Sequence, residues 1–117
     1  MEQTDAVAAL SALAHPGRLA VFRLLVKAGA EGLAAGRIAE AAGMLANTLS
    51  ANLNILTQAG LARSRREGRS IIYTADYDAM RGLLAFLMED CCQGEPAICA
   101  PLADLAAGAS CGAPARA

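Results

Sequence analysis

The sequence predicts a mainly α-helical domain carrying one small β-hairpin. Three observations point there. Apolar residues make up 56% of the chain while only 3% of it is aromatic, a composition of alanine-rich helices rather than of a sandwich or barrel. Apolar positions recur at helical spacing over roughly the first sixty residues. The period then shortens to that of strands around Glu67-Gly68, a turn dipeptide between two short runs.

Each element follows in order. Gln3-Thr4-Asp5 offers N-caps, and Val7, Leu10, Leu13 and Ala14 define the inward stripe of a first helix that runs to about Ala14. His15-Pro16 interrupts it. Pro16 suits the first position of a second helix, with Leu19, Phe22, Leu25 and Val26 inward and Arg18, Arg23 and Lys27 outward, ended by Gly29 and Gly32. A short third helix, Arg37 to Ala42, turns Ile38 and Ala41 inward, and Gly43 follows as a left-handed cap. After the turn Met44-Leu45-Ala46, a fourth helix runs from about Asn47 to Ala59 on the stripe Leu49, Leu53, Leu56, closed by Gly60 and Leu61. The runs 62–66 and 70–74 make the hairpin. Asp76 caps a last helix on the stripe Met80, Leu84, Leu87, Cys91, which Gly94 and Pro96 stop.

Helices three and four, joined by a tight turn, form a helix-turn-helix, and the hairpin is its wing. The expected fold is therefore a winged helix-turn-helix of order α-α-α-α-β-β-α. Residues 1–92 form the DNA-binding and dimerisation domain; residues 93–117 form a thiol-containing extension whose last ten residues read as disordered. At 117 residues the chain is one domain, small enough that a partner subunit helps complete its core.

Several function classes are excluded. No run approaches the roughly 18 apolar residues of a membrane span, and no basic-then-apolar leader opens the chain, so the expectation is a cytoplasmic protein without a membrane partner. A net charge of −1 argues against a nonspecific nucleic-acid coater. No phosphate-binding glycine loop or paired-carboxylate motif is present, and the single histidine, His15, has no Ser, Cys or carboxylate spaced to make it a base. It reads as a cap. The expectation is a binding protein with no catalytic cofactor, not an enzyme.

The outward face of the fourth helix carries Asn47, Ala51, Asn54 and Gln58, flanked by Thr48, Ser50 and Asn52, and holds no charge. Asn and Gln pair with adenine, Ser and Thr reach base edges or phosphates, and Ala51 suits a thymine methyl. Without an arginine there, the expected site leans to A·T or is read through shape. Read alone, such a face is more simply a solvated helix surface, because exposed polar faces are the rule. Beside it, Arg63, Arg65, Arg66 and Arg69 face one acid, Glu67, within seven residues. That cluster suits phosphate gripping, with Arg65 and Arg69 as the chosen contacts, or a charged hairpin that keeps its edges from aggregating.

The segments Leu13-Ala14-His15-Pro16-Gly17-Arg18-Leu19, Ile38-Ala39-Glu40, Asn47-Thr48-Leu49-Ser50-Ala51-Asn52-Leu53, Gln58-Ala59-Gly60-Leu61 and Arg66-Glu67-Gly68-Arg69 together resemble the ArsR/SmtB family of metal-sensing repressors, over residues 5 to 92. The resemblance implies a homodimer whose first and last helices form the interface, bound to an inverted-repeat operator in double-stranded DNA and released by an inducer. It places the start of the recognition helix at Thr48-Leu49-Ser50-Ala51-Asn52-Leu53, with Asn52 where many relatives carry histidine. The Cys-x-Cys inducer site of the best-known arsenic sensors has no counterpart in Leu33-Ala34-Ala35-Gly36-Arg37-Ile38.

All four cysteines, Cys91, Cys92, Cys99 and Cys111, instead fall in the last 27 residues, a distribution unlike a disulfide framework. The run from Cys91 to Cys99 is similar to C-terminal thiol clusters of another arsenic-responsive branch of the family. Gly94 and Pro96 can turn the chain so that Cys99 meets Cys91 and Cys92, and three thiolates satisfy As(III) or Sb(III). Zinc wants a fourth N or S ligand, which leaves soft Cd(II), Pb(II) or Hg(II) as alternatives. A redox-responsive thiol is a further alternative, although Glu89, Asp90, Glu95 and a helix C-terminus disfavour thiolate there. Cys91 also continues the Leu87 stripe and so suits simple packing. The alternative from another class is a dimeric protein-interaction domain that binds no DNA.

Overall fold

In the computed structural model, which describes residues 1–88, five helices and a three-stranded sheet follow the order α1 (Gln3–Leu13), α2 (Pro16–Ala28), β1 (Leu33–Ala34), α3 (Ala35–Ala42), α4 (Ala46–Gln58), β2 (Ala62–Glu67), β3 (Ser70–Ala75) and α5 (Tyr77–Met88). A 3₁₀ turn, Gly29–Glu31, links α2 to β1. The sheet is antiparallel in the order β1-β3-β2. This is the expected winged helix-turn-helix, with one strand more than the hairpin the sequence predicts. The expected extension, residues 93–117, lies outside the described residues, as does Cys91.

The extra strand depends on Gly32. Its φ of +72° is a conformation that side chains disfavour, and a Cβ there would overlap the Tyr73 carbonyl oxygen and the Thr74 methyl. The bare backbone lets Leu33 pair with Tyr73 and Ala34 with Ile72. A two-residue strand has no alternation to detect, so the sequence hides it.

Helix ends follow local chemistry. Asp5 reaches back to the Glu2 N–H at 3.3 Å, so α1 is capped one residue before the expected Gln3-Thr4-Asp5. The His15 Nδ1 accepts from the Gly17 and Arg18 N–H groups at 3.1 and 3.3 Å, with Pro16 opening α2, which gives His15 its capping role. Gly43 takes the left-handed conformation at the end of α3. Gly60, at φ 82°, returns the Leu61 N–H to the Leu56 carbonyl at 3.0 Å.

Leu25, Ile38, Leu49, Leu53, Leu56 and Leu61 are fully buried and join the helices to the sheet. Truncating any one to Ala costs about 2–5 kcal/mol, a large share of the total for a domain this small. The inward faces of three helices differ from expectation. On α1 the buried residues are Ala6, Ala9 and Ala12, because α1 packs against both α2 and α4 and small side chains allow that approach. Val7 (55% exposed) and Leu10 (42%) point away. On α2, Val21 is buried in place of Leu19, and Arg18 turns back to donate to the Ala12 carbonyl at 2.6 Å. On α3, Ala41 is exposed, while Ala39 and Ala42 pack beside Ile38.

Candidate nucleic-acid interface

Helix α4 is held by Leu49, Leu53 and Leu56, which fixes what its other side presents. Asn47, Thr48, Ser50, Ala51, Asn54 and Gln58 are exposed, as expected. Asn52 is not among them. It is 6% exposed and its amide donates toward the Met44 thioether at 3.5 Å, so the structure turns this expected DNA contact inward. The signal was present in the spacing: Asn52 stands three residues after Leu49 and four before Leu56, beside the buried stripe. The Asn47 Oδ1 accepts from the Thr48 N–H at 2.9 Å, which leaves its amide to donate while Asn54 keeps both groups for a bidentate contact.

The wing registers Ala62 with Ala75, Ser64 with Tyr73, Arg66 with Ile71 and Glu67 with Ser70, around a two-residue Gly68-Arg69 turn with Gly68 at φ 63°. Strand alternation then sorts the four arginines. Arg63, Arg65 and Glu67 share one face; Ser64 and Arg66 share the other, and Arg69 sits at the tip. Arg63 pairs with Asp76 at 3.0 Å. Arg65 pairs with Glu67 at 2.7 Å and donates to the Glu31 carbonyl at 2.9 Å. Arg65, an expected DNA contact, is thus engaged on the face away from α4 while its side chain stays exposed. Arg66 and Arg69 are exposed and make no ion pair among the described residues.

Asp76 joins the wing to α5. Its carboxylate accepts from the Ala79 N–H at 3.0 Å and from Arg63, and its own N–H donates to the Leu61 carbonyl at 2.8 Å. The Ala79 backbone hydrogen bond, aided by Arg63 and the Asp78 N–H and opposed by burial, holds the Asp76 carboxyl below its ordinary value.

Between α4 and the sheet lies an open groove of about 520 Å³, lined by Ser50, Ala51, Asn54, Thr57, Ser64 and Tyr73. Ser50, Ala51 and Asn54 of the exposed α4 ridge line this groove, and Arg66 lies two residues past Ser64 on the same strand face. Among the described residues no cluster of His, Cys, Asp and Glu is placed to hold a metal, and no single helix is long and apolar enough to cross a membrane. Cys91, Cys92 and Cys99 lie outside the described residues.

Comparison with known proteins agrees with this geometry. Residues 13–65 match a helix-turn-helix domain family. The chain is 31% identical over 88 residues to the HTH-type transcriptional regulator YgaV of Escherichia coli, covering 75% of this chain and 87% of that protein. The homodimeric winged helix-turn-helix DNA-binding domain Mb0332 of Mycobacterium bovis, a possible ArsR-family regulator, is 34% identical with a TM-score of 0.59, over 74% of this chain and 81% of that one. A possible transcriptional regulator for arsenical resistance is 28% identical with a TM-score of 0.59, over 67% of this chain and 78% of that one. Fold and surface together define a winged helix-turn-helix transcriptional regulator rather than an enzyme. The chain belongs to the regulators of the ArsR/NolR type.

Proposed function

We propose that the protein is a homodimeric repressor that holds an inverted-repeat operator in double-stranded DNA and releases it when As(III) or Sb(III) is captured by Cys91, Cys92 and Cys99. The observation that carries the DNA half is the polar, uncharged ridge of α4 beside exposed Arg66 and Arg69. Asn47, Thr48, Ser50, Ala51 and Asn54 read base edges, and the wing supplies the charge that the helix lacks. The dimer half is supported by apolar residues left uncovered on one protomer: Val7 and Leu10 on α1, and Leu84 (49% exposed) on α5. Pairing α1 and α5 across a two-fold axis buries them and spaces two α4 helices about one DNA turn apart.

The inducer half is supported by ligand chemistry. Arsenite, As(OH)₃, exchanges its hydroxyls for three thiols and releases three waters, with no change in oxidation state. The relative tied to arsenical resistance points the same way. Capture by these thiols, which follow α5 in the sequence, biases the dimer against the DNA-bound arrangement. Moving occupancy from 99:1 to 1:99 takes a differential affinity of about 5.5 kcal/mol.

The test is fluorescence anisotropy on a labelled inverted-repeat duplex from the protein's own promoter, titrated with As(III), Sb(III), Cd(II), Pb(II), Hg(II) and peroxide. Trivalent arsenic and antimony release the DNA; Cys91→Ser, Cys92→Ser and Cys99→Ser each bind DNA and ignore arsenite, while Cys111→Ser still responds. Release by peroxide or a divalent ion with arsenite inert replaces the inducer and leaves the repressor reading standing.

A further inference from the structure

One wall of the groove beside α4 belongs to the sheet, and the base-reading residues do not account for it. Ser64 and Tyr73 stand opposite each other on β2 and β3 and line that wall. The two tyrosines of the chain are used differently. The Tyr77 hydroxyl is committed, donating to the Val26 carbonyl at 2.8 Å and tying α5 to α2. The Tyr73 hydroxyl makes no hydrogen bond among the described residues, although its ring packs against the core.

The groove offers donors and no acid. Ser50, Ser64 and Tyr73 hydroxyls and the Asn54 amide can donate, Thr57 already donates to the Leu53 carbonyl at 2.8 Å, and no carboxylate lines the groove. Two residues past Ser64 on the same face stands Arg66. A concave wall of neutral donors, free of acids and flanked by a guanidinium, suits an anion that presents several oxygen acceptors. DNA lying on α4 supplies such an anion in its backbone.

We propose that the groove between α4 and the wing seats one backbone phosphate of the DNA, with the Tyr73 and Ser64 hydroxyls donating to its oxygens while Arg66 neutralises it or its neighbour. This rests on the DNA-binding reading. It makes Tyr73 and Ser64 register-setting contacts, joining helix and wing on one DNA strand. Hydroxyls carry no charge and release no counterions, so their contribution to binding is insensitive to salt, unlike that of an arginine.

The test measures binding of the full chain to the inverted-repeat duplex and to a scrambled duplex across a salt series, with folding checked by circular dichroism. Tyr73→Phe keeps the ring, and Ser64→Ala removes only an exposed hydroxyl. Each weakens binding roughly three- to tenfold, equally on both duplexes, with the salt slope unchanged. In duplexes carrying a single neutral methylphosphonate, one position per half-site weakens the wild type and adds nothing to the Tyr73→Phe defect. Wild-type affinity in both variants at every salt concentration overturns the proposal. Inorganic phosphate competes with DNA beyond chloride at matched ionic strength in the wild type and loses that extra effect in Tyr73→Phe; the same phosphate effect in both proteins also overturns the seat. If the wild type binds neither duplex, the DNA reading itself fails, and the seat fails with it.

Discussion

The two faces of strand β2 hold the same residue type in opposite conditions. On the face turned from α4, Arg63 and Arg65 are held by Asp76, Glu67 and the Glu31 carbonyl. On the face toward α4, Arg66 stands beside Ser64 and the groove, with no acid across from it on β3, where its partner is Ile71. One face closes the wing onto the body of the domain, and the other leaves charge available to a ligand. Counting four arginines against one glutamate therefore overstates the field offered to DNA. The chain-wide charge of −1 makes this partition matter, because no background of positive potential compensates for a misplaced arginine.

The strongest way to break this comparison is to remove the open arginines together. Arg66→Ala with Arg69→Ala is expected to lower DNA affinity on the order of a hundredfold at moderate salt and to reduce the salt slope by nearly two, read by anisotropy. A mutant that binds as well as the wild type contradicts the division of faces. Next comes Asp76, where the closed face meets α5. Asp76→Ala removes a cap and the Arg63 partner and is expected to cost about 1–2 kcal/mol at neutral pH, measured by urea denaturation. The sign in acid follows from the lowered carboxyl. Its stabilisation is full above the ordinary value of 3.8 and is lost as the pH falls below that through the folded value, so mutant and wild type converge there.

Arg63→Ala has a smaller effect, up to about 1 kcal/mol of stability, since its side chain is largely exposed, and it leaves DNA affinity within about twofold. Glu67→Gln is the smallest and runs the other way. Releasing Arg65 and removing the wing's one acid should tighten DNA binding about twofold at low salt, an increase that vanishes as salt screens it.

What the sequence made legible was local. The Leu49-Leu53-Leu56 stripe, the Gly43 and Gly60 caps and the His15 cap each depend on residues a few positions apart and are found as read, while the hairpin forms with its turn one residue later than expected, at Gly68-Arg69 instead of Glu67-Gly68. What it hid depends on distant partners. Val7 and Leu10 look like core residues until α2 and α4 are seen to demand the alanines instead. Leu33-Ala34 becomes a strand because Gly32 admits it beside Tyr73. Arg65 and Arg66 are equivalent as sequence and are separated by strand parity once the hairpin register is known. Asn52 is the exception, since its spacing from Leu49 already placed it near the buried stripe.

The most direct test of the account compares the salt dependence of DNA binding in wild type, Arg65→Ala and Arg66→Ala on one inverted-repeat duplex. If the open face carries the phosphate contacts, Arg66→Ala lowers the slope of log affinity against log salt by about 0.9, and Arg65→Ala leaves it unchanged. A slope lost in Arg65→Ala and kept in Arg66→Ala would contradict it.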